Sequence, residues 1–282
     1  MTVLDAAKEA AAGLTPAERA VAEAVLADPA RVAFGTVAEL AARSGTSGPT
    51  VVRVARKLGY AGFRDLQAAV QAEVGGGLAP AAERIRRAAP ARQSPLDRAL
   101  AVELANVDSS LGAVDRRTLA GAVRLLADRR RRVLVVAGDA ERGVAATFAD
   151  QLGQLRDGVA LVEGAPPRVA AAVAVAAGAP AVAVAVDVRR YDAWLLETVT
   201  SLRAGGADVV AVTDGPLSPL TEGAAAWFAV RAEGSGPFDS HVGTLAVLHL
   251  LVAGVAEALR GSAASRLEQI EASWQRTGAL HP

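Results

Sequence analysis

The chain has 282 residues, of which 52% are hydrophobic, and its 30 basic and 30 acidic side chains leave no formal net charge. This length allows two domains with a sizeable core, and the apolar content excludes general disorder. The absence of cysteine excludes a disulfide framework and a thiolate zinc site. The three histidines form no metal-ligand pair at helical spacing, so we expect neither a metal nor a cofactor.

The sequence contains neither a secretion signal nor a convincing membrane span. Asp5 and Glu9 stand where a signal peptide needs an uninterrupted apolar run. The long apolar run 169–186 is divided by Gly178 and Pro180, which predict a helix followed by a strand. We therefore expect a soluble, cytoplasmic protein that has no membrane partner.

Two capping boxes predict the first two helices. Thr15 and Glu18 mark the beginning of one helix, and Thr36 and Glu39 mark the beginning of a second that ends near Arg43. In each box the two side chains satisfy backbone N–H groups that the helix itself leaves unpaired.

A tight turn separates the second helix from a third. Gly45 in the segment 44–46 is free to adopt the left-handed conformation that ends a helix. Ser47 is predicted to cap the third helix, which runs from about residue 48 to 58 with Pro49 in its first turn. Two short capped helices joined by such a turn are typical of a helix-turn-helix.

The third helix has an apolar back and a polar front when its residues are placed about 100° apart. The back consists of Val51, Val54, Ala55 and Leu58. The front fits a recognition helix, in which hydroxyls meet phosphates or base edges and Arg53 reaches guanine O6 and N7. An ordinary solvated surface helix is the competing interpretation. The candidate DNA contacts are Thr36, Ser47, Gly48, Pro49, Thr50, Arg53, Arg56, Lys57 and Tyr60.

Local charge favours DNA over mere solvation. Residues 30–64 contain six cations and one anion, a local charge of +5 in a chain whose net charge is zero. Affinity for DNA depends largely on neutralising phosphates, so a basic segment of a neutral protein is informative. We therefore predict that this part of the chain binds a double-stranded DNA operator.

A glycine run separates this region from the rest of the chain. A further amphipathic helix, with Phe63, Leu66 and Val70 at helical spacing, comes before it. The three glycines at 75–77 are unfavourable in both a helix and a strand, so they indicate a linker. We predict an all-α helix-turn-helix domain over residues 1–75, a linker over 76–95 and a second domain over 96–282.

The second domain begins with two predicted helices, at about 95–111 and 115–127. Five short β-branched runs then alternate with helical segments, and continuous apolar runs of this kind indicate parallel strands covered on both faces. The predicted fold class is α/β, a doubly wound parallel five-stranded sheet. The strands are predicted at 133–138, 159–164, 180–188, 208–215 and 226–233, and the later helices at 141–155, 168–177, 191–204, 218–225 and 238–259.

Ligands of such a sheet bind beyond the carboxyl ends of its strands. These ends hold no P-loop and no dinucleotide fingerprint, because Gly138 and Gly143 have the wrong spacing. Both a small-molecule site and a scaffold that only dimerises remain open.

The segment LTPAERAVAEAVLADPARVAFGTVAELAARSGTSGPTVVRVARKLGYAGFRDLQ begins at Leu14 and strongly resembles the helix-turn-helix domain of the RpiR/MurR family of bacterial transcription regulators. LTPAER, TVVR and RKLGYAGF carry this resemblance most specifically. The remainder resembles the sugar isomerase (SIS) domain with which this family senses phosphorylated sugars, notably at VTDGPLSPL and FDSHVGTLAVLHLLV. Because helix-turn-helix proteins generally read their operators as two-fold pairs, we predict a homodimer or tetramer.

The resemblance also implies where a phosphate would bind. In the SIS family, a turn with a Ser follows the first strand and a Ser-x-Ser-Gly-x-Thr loop follows the third. Here these stretches read GDAER and DVRRYD, in which carboxylates repel a phosphate unless the arginines replace the lost donors. We expect these charges to pair with one another and favour a neutral or zwitterionic effector over a sugar phosphate. The candidate ligand-binding residues are Gly138, Asp139, Glu141, Arg142, Asp187, Arg189, Arg190, Asp192 and Ser240.

Two function classes remain. One is a DNA-binding transcription regulator whose second domain senses an effector or dimerises, and the other is an SIS-type sugar-phosphate isomerase with an accessory domain. An isomerase needs a base beside the substrate, for which Glu233 and His241 are the candidates, although each is more simply a polar loop residue. Because a recognition helix is of no use to an isomerase, we predict the regulator, without catalytic residues.

Overall fold

The structure of the protein is a computed structural model in which two compact units, Met1–Glu83 and Arg84–Pro282, are distinguished. The division falls inside the segment 76–95 that was predicted as a linker, and the glycine run 75–77 lies outside the described residues. The structure describes residues 13–27, 32, 35–74, 81–87, 94–163, 174, 179–216 and 218–279.

Four helices of the first unit enclose one apolar core. Its fully buried side chains include Val21 of the first helix, Leu40 of the second, Val54 of the third and Leu66 of the fourth. A further short helix, α5, contains the boundary between the units. The helices are α1 (Pro16–Ala27), α2 (Val37–Arg43), α3 (Gly48–Lys57), α4 (Phe63–Val74) and α5 (Ala81–Arg87).

Both predicted capping boxes are present. Thr15 donates its backbone N–H to Glu18 Oε2 at 2.9 Å, and Glu18 donates its own to Thr15 Oγ1 at 3.4 Å. The N–H of Thr36 donates to Glu39 Oε2 at 2.7 Å, and the return bond measures 3.2 Å. These four bonds define where α1 and α2 begin, as the sequence predicts.

The second unit is a parallel sheet flanked by helices, which confirms the predicted fold class. Residues along the central strand β3 alternate between two apolar clusters, one on each face of the sheet, and all six are buried. The elements are α6 (Pro95–Gly112), α7 (Arg116–Ala127), β1 (Arg132–Ala137), α8 (Arg142–Leu155), β2 (Val159–Leu161), β3 (Ala181–Val186), α9 (Ala193–Ala204), β4 (Asp208–Thr213), β5 (Ala226–Ala229), α10 (Val242–Ala258) and α11 (Arg260–Thr277).

The strand order is β2-β1-β3-β4-β5, and every pairing is parallel. Ala137 at the end of β1 therefore lies beside Val186 at the end of β3. The chain leaves these two neighbouring strands in opposite directions along the sheet, which opens a crevice at their carboxyl ends. This crevice brings the two predicted ligand-binding segments together.

One predicted helix is shorter in the structure, and one observed helix was not predicted. The segment 218–225 forms only a 3-10 turn at Pro219–Thr221, because Gly223, two residues after the turn, adopts the left-handed φ +65. The tail, for which no helix was predicted, forms the long helix α11. The helix predicted at 168–177 lies outside the described residues except for Ala174, which is helical.

Across the described ranges, no single helix has the length and apolar composition needed to cross a membrane. The pair Val242–Ala258 and Arg260–Thr277 meets both criteria only when taken together, and it is bent by 105° at its break.

Candidate DNA interface and effector site

The recognition helix α3 packs its apolar back into the first unit as predicted. Val51, Val54 and Ala55 are fully buried. The preceding turn depends on Gly45, whose φ is +61, a left-handed conformation that glycine adopts without strain. Gly48 lies so close to α2 that a Cβ there would be 3.3 Å from Val37 Cγ1. The third helix is thereby fixed against the second.

The predicted DNA contacts are not equally accessible. Gly48 and Tyr60 are half-buried. Thr50 is a predicted DNA contact, but only 8% of it is exposed. Its hydroxyl lies 3.0 Å from Ser47 Oγ and accepts a 3.4 Å bond from Arg53 Nη2. The exposed members are Thr36, Ser47, Pro49, Arg53, Arg56 and Lys57.

Ser47 occupies the predicted N-cap position of α3, but its side chain makes no capping bond to the backbone. Its hydroxyl pairs with the hydroxyl of Thr50 instead. The role assigned to the Ser47 side chain as a cap was therefore wrong. The start of the recognition helix carries a small hydroxyl cluster whose outer member, Ser47, is exposed.

The front of α3 also contacts a carboxylate from another helix. Lys57 Nζ donates to Glu18 Oε2 at 2.7 Å, and Arg53 Nε lies 3.8 Å from Glu18 Oε1. The hydrogen bonds from Lys57 and from the Thr15 backbone lower the pKa of Glu18 to about 2. Glu18 is therefore ionised at neutral pH and lies buried against two of the predicted DNA contacts.

The second site lies where β1 and β3 end. We name residues 138–141 the β1–α8 turn and residues 187–192 the β3–α9 loop. The carboxyl group of Asp187 lies directly against Gly138, where a Cβ would come within 2.6 Å of Asp187 Oδ1. Only glycine allows the two segments to approach so closely at this point.

Carboxylates of the loop accept hydrogen bonds from backbone N–H groups of both segments. Asp187 accepts from the N–H of Val188 at 3.0 Å and from that of Asp192 at 2.8 Å. Asp192 in turn accepts from the N–H of Asp139 at 2.6 Å, across the crevice. Three N–H donors at the ends of β1 and β3 are thus taken by the chain's own anions.

A second carboxyl group is buried beneath the first. Glu141 is 1% exposed, and burial together with the neighbouring Asp187 raises its pKa. Burial raises the pKa of Asp187 as well. Two buried carboxyls side by side cannot both ionise readily, so the pair retains a proton that isolated carboxyls release. His241 Nδ1 lies 3.5 Å from Glu141 Oε1, at the beginning of α10.

Arg189 has a left-handed backbone conformation with φ +64, which is unusual for a residue other than glycine or asparagine. Its guanidinium forms an ion pair with Glu233 and donates to Asp239 Oδ1 at 2.9 Å. Arg84 donates to the same oxygen at 2.7 Å. Arg189 was expected to pair with the carboxylates of the two loops. It pairs instead with Glu233 and Asp239, which lie outside both loops.

The remaining predicted ligand-binding residues divide into exposed and buried groups. Arg142 and Arg190 are exposed and form no ion pair with the described residues. Ser240 is buried and donates to Glu103 Oε2 at 2.5 Å. Glu103 also accepts a 3.0 Å bond from Asn106. Ser240 thus belongs to a hydrogen-bond network around α6. No described hydrogen bond joins it to Asp187.

Two family models match the chain. The helix-turn-helix domain of the rpiR family matches residues 1–76, and the SIS domain matches residues 125–254. The chain's N-terminal unit is a helix-turn-helix domain of the rpiR family. The chain is a DNA-binding regulator with an SIS domain, and the two matches fall on the two compact units seen in the structure.

Solved structures share the fold of this regulator. The Vibrio vulnificus NanR protein complexed with ManNAc-6P matches with a TM-score of 0.58 and 20% identity, over 98% of this chain and 99% of that one. The sugar isomerase domain of an RpiR transcription factor from Sphaerobacter thermophilus matches with a TM-score of 0.58 and 22% identity, over 64% of this chain and 99% of that one. No curated protein matches this chain.

The structure of this regulator adds residues that the sequence did not single out. Glu18 was identified only as part of a capping box, and its contact with Lys57 joins residues 39 positions apart. Asp239 and Glu103 were not predicted at all. Within the described ranges, no group of three or more His, Cys, Asp or Glu is arranged to hold a metal ion.

Proposed function

We propose that this regulator does not respond to sugar phosphates, because its own carboxylates occupy the N–H donors of the site. The observation that carries this proposal is the set of bonds from Val188, Asp192 and Asp139 to the carboxylates of Asp187 and Asp192. A phosphate would have to displace both carboxylates before it could accept these bonds.

Electrostatics also opposes a phosphate in the crevice. Two negative unit charges 4 Å apart in a partly buried site repel each other by about 4 kcal/mol at an effective dielectric constant of about 20. Arg189, which would offset this repulsion, is already held by Glu233 and Asp239. Repulsion from the carboxylates therefore outweighs what the two exposed arginines, Arg142 and Arg190, supply through solvent.

The free polar atoms of the crevice fit a neutral or zwitterionic ligand. Glu141 Oε2 and His241 Nδ1 are buried and have no hydrogen-bond partner among the described residues. Burial and the neighbouring Asp187, with which Glu141 shares a side-chain hydrogen bond, raise the pKa of Glu141, so the carboxyl pair supplies both a donor and an acceptor. A ligand carrying hydroxyl, amide or ammonium groups would satisfy these atoms.

Thermal-shift titration tests the proposal. A ligand at 100 times its dissociation constant stabilises the folded chain by about 2.7 kcal/mol. Phosphates of glucosamine, ribose, fructose and N-acetylmuramic acid at millimolar concentration should leave the melting temperature unchanged. A saturable rise with any of them, abolished by Arg189→Ala, would show that the arginine serves a phosphate after all.

We also infer that the chain is not an enzyme. Glu233, one candidate base, is held in an ion pair by Arg189, and its backbone is fixed by a 3.2 Å bond to Asn106. The contact between Glu141 and His241 is the one observation that favours an isomerase. A coupled assay for aldose–ketose conversion of the same sugar phosphates should detect no turnover, and turnover lost in His241→Ala would support the enzyme.

We further propose that a second copy of the chain covers an apolar stripe on α6. Leu96, Leu100, Leu104 and Leu111 are 76%, 58%, 63% and 39% exposed. At about 100° per residue they fall within about 80° of one another, so they form one face of the helix. Covering such a side chain contributes about 1 to 2 kcal/mol. A second copy is the occupant that two-fold operator recognition requires.

A further inference from the structure

A buried carboxylate contacts the cationic side of the recognition helix. Glu18, on α1, is 4% exposed, whereas the side chains of Arg53 and Lys57 are 62% and 42% exposed. Glu18 Oε2 accepts from Lys57 Nζ at 2.7 Å and from the Thr15 hydroxyl at 2.9 Å. The position of Glu18 is therefore set by its capping box, and Glu18 in turn sets the position of the Lys57 ammonium.

The same carboxylate helps to orient Arg53. Its Nε lies 3.8 Å from Glu18 Oε1, and its Nη2 donates to Thr50 Oγ1 at 3.4 Å. Thr50 is itself paired with Ser47 at 3.0 Å. The two long contacts of Arg53 bias the orientation of its exposed side chain, and an arginine that is already oriented loses less side-chain entropy when its guanidinium meets a guanine edge.

We propose that Glu18 is a positioning residue for DNA recognition, which directs Arg53 toward base edges and withholds Lys57 from phosphates. The inference rests on DNA binding by the helix-turn-helix unit. Its consequence is specificity, because phosphate contacts bind every sequence alike whereas base contacts discriminate. By neutralising one cation, Glu18 lowers affinity for random DNA while it preserves the contact that reads sequence.

Glu18→Gln removes the charge and leaves the fold of α1 intact. A capping box accepts Glu or Gln at this position, so the Thr15 N–H keeps its acceptor. Glu23→Gln is the matched control, because Glu23 is an exposed carboxylate on the same helix. An unchanged melting temperature in both variants would show that any effect on DNA arises from the loss of the Glu18 charge.

The test compares the full-length variants on two duplexes at several salt concentrations. One duplex is enriched from a random pool by the wild-type chain, and the other is a shuffled version with the same composition. One additional phosphate contact multiplies the loss of affinity between 50 and 200 mM salt by about 3 to 4. Glu18→Gln should show this steeper loss on both duplexes, whereas Glu23→Gln should follow the wild type.

The second quantity to measure is the discrimination between the two duplexes. The ratio of affinities for the enriched and shuffled duplexes should fall about 5-fold or more in Glu18→Gln, the lower end of what one arginine–guanine contact supplies. Adding Lys57→Met to Glu18→Gln should reverse the steeper salt dependence, because the freed cation is then gone. A merely structural role for Glu18 would instead lower both affinities together.

The outcomes separate this inference from the function on which it rests. If the wild-type chain enriches no duplex and shows no salt-dependent binding, DNA recognition itself is contradicted. If the wild type discriminates and Glu18→Gln retains its salt dependence and its ratio, the positioning role of Glu18 is overturned.

Discussion

Gly138→Ala should destabilise the SIS domain, because the new Cβ would enter the space of a buried carboxyl group. It would lie 2.6, 2.7 and 2.9 Å from Oδ1, Cγ and Oδ2 of Asp187. The carboxyl cannot simply rotate away, since it accepts bonds from the N–H groups of Val188 and Asp192. Losing a hydrogen bond to a charged group costs about 1.5–3 kcal/mol, and overpacking costs about 1–3 kcal/mol. Because part of each is recovered by relaxation, we expect a net loss of about 2 to 4 kcal/mol.

Urea unfolding followed by tryptophan fluorescence measures this loss in the full-length chain. All 3 tryptophans, Trp194, Trp227 and Trp274, belong to the second unit, so the signal reports on that unit alone. With an m-value of about 3 kcal/mol/M, a loss of 3 kcal/mol lowers the urea midpoint by about 1 M.

Two variants complete this experiment. Gly143→Ala is the control, because a Cβ there meets nothing within 4 Å and alanine favours a helix, so the midpoint should stay or rise slightly. Asp187→Ala combined with Gly138→Ala removes the group that the new methyl meets. The two substitutions should therefore be non-additive by about 1 kcal/mol or more. An unchanged midpoint in Gly138→Ala, or strictly additive effects, would refute the close approach of these residues.

Three further predictions concern the proton on Glu141, the contact of Arg53 with DNA and the dimer formed through α6. The raised pKa of Glu141 means that the folded chain holds a proton that the unfolded chain releases, so stability should fall by up to about 1.4 kcal/mol per pH unit above the ordinary glutamate range. In urea titrations at several pH values, Glu141→Gln should reduce this slope and leave the smaller contribution of Asp187, whose pKa burial also raises, and an unaltered slope would contradict the assignment. Arg53→Ala should cost about 1–3 kcal/mol on the enriched duplex and less on a shuffled one in fluorescence anisotropy, whereas equal losses would show that it contacts only phosphate. Light scattering on residues 90–282 should report at least a dimer at micromolar concentration, and Leu100→Glu should reduce it to a monomer, while a wild-type monomer would exclude the stripe as an interface.

Local features were the ones that the sequence predicted well. The capping box of Thr36 and Glu39 joins residues three positions apart, and the turn at Gly45 needs a single residue. The strands were predicted because each one is an unbroken apolar run between glycine, proline or charge. Such signals depend on neighbours along the chain, which a sequence displays directly.

Contacts between segments that are far apart along the chain could not be predicted from the sequence. Arg189 was expected to meet the acids of its own loop, but its partners lie 44 and 50 residues further along the chain. Nothing in the pattern around Glu18 indicates Lys57, 39 residues away. The composition of the loops predicts that a phosphate is disfavoured, whereas the bonds that occupy the donors depend on how β1 and β3 align.

We propose above that the regulator binds DNA without control by sugar phosphates. The most direct measurement is fluorescence anisotropy of the enriched duplex with the full-length chain, titrated with the same four sugar phosphates. We predict that the DNA dissociation constant is unchanged at millimolar concentrations of each compound, because Asp187 and Asp192 already occupy the N–H donors. A saturable change in DNA affinity with any one of them would contradict the claim.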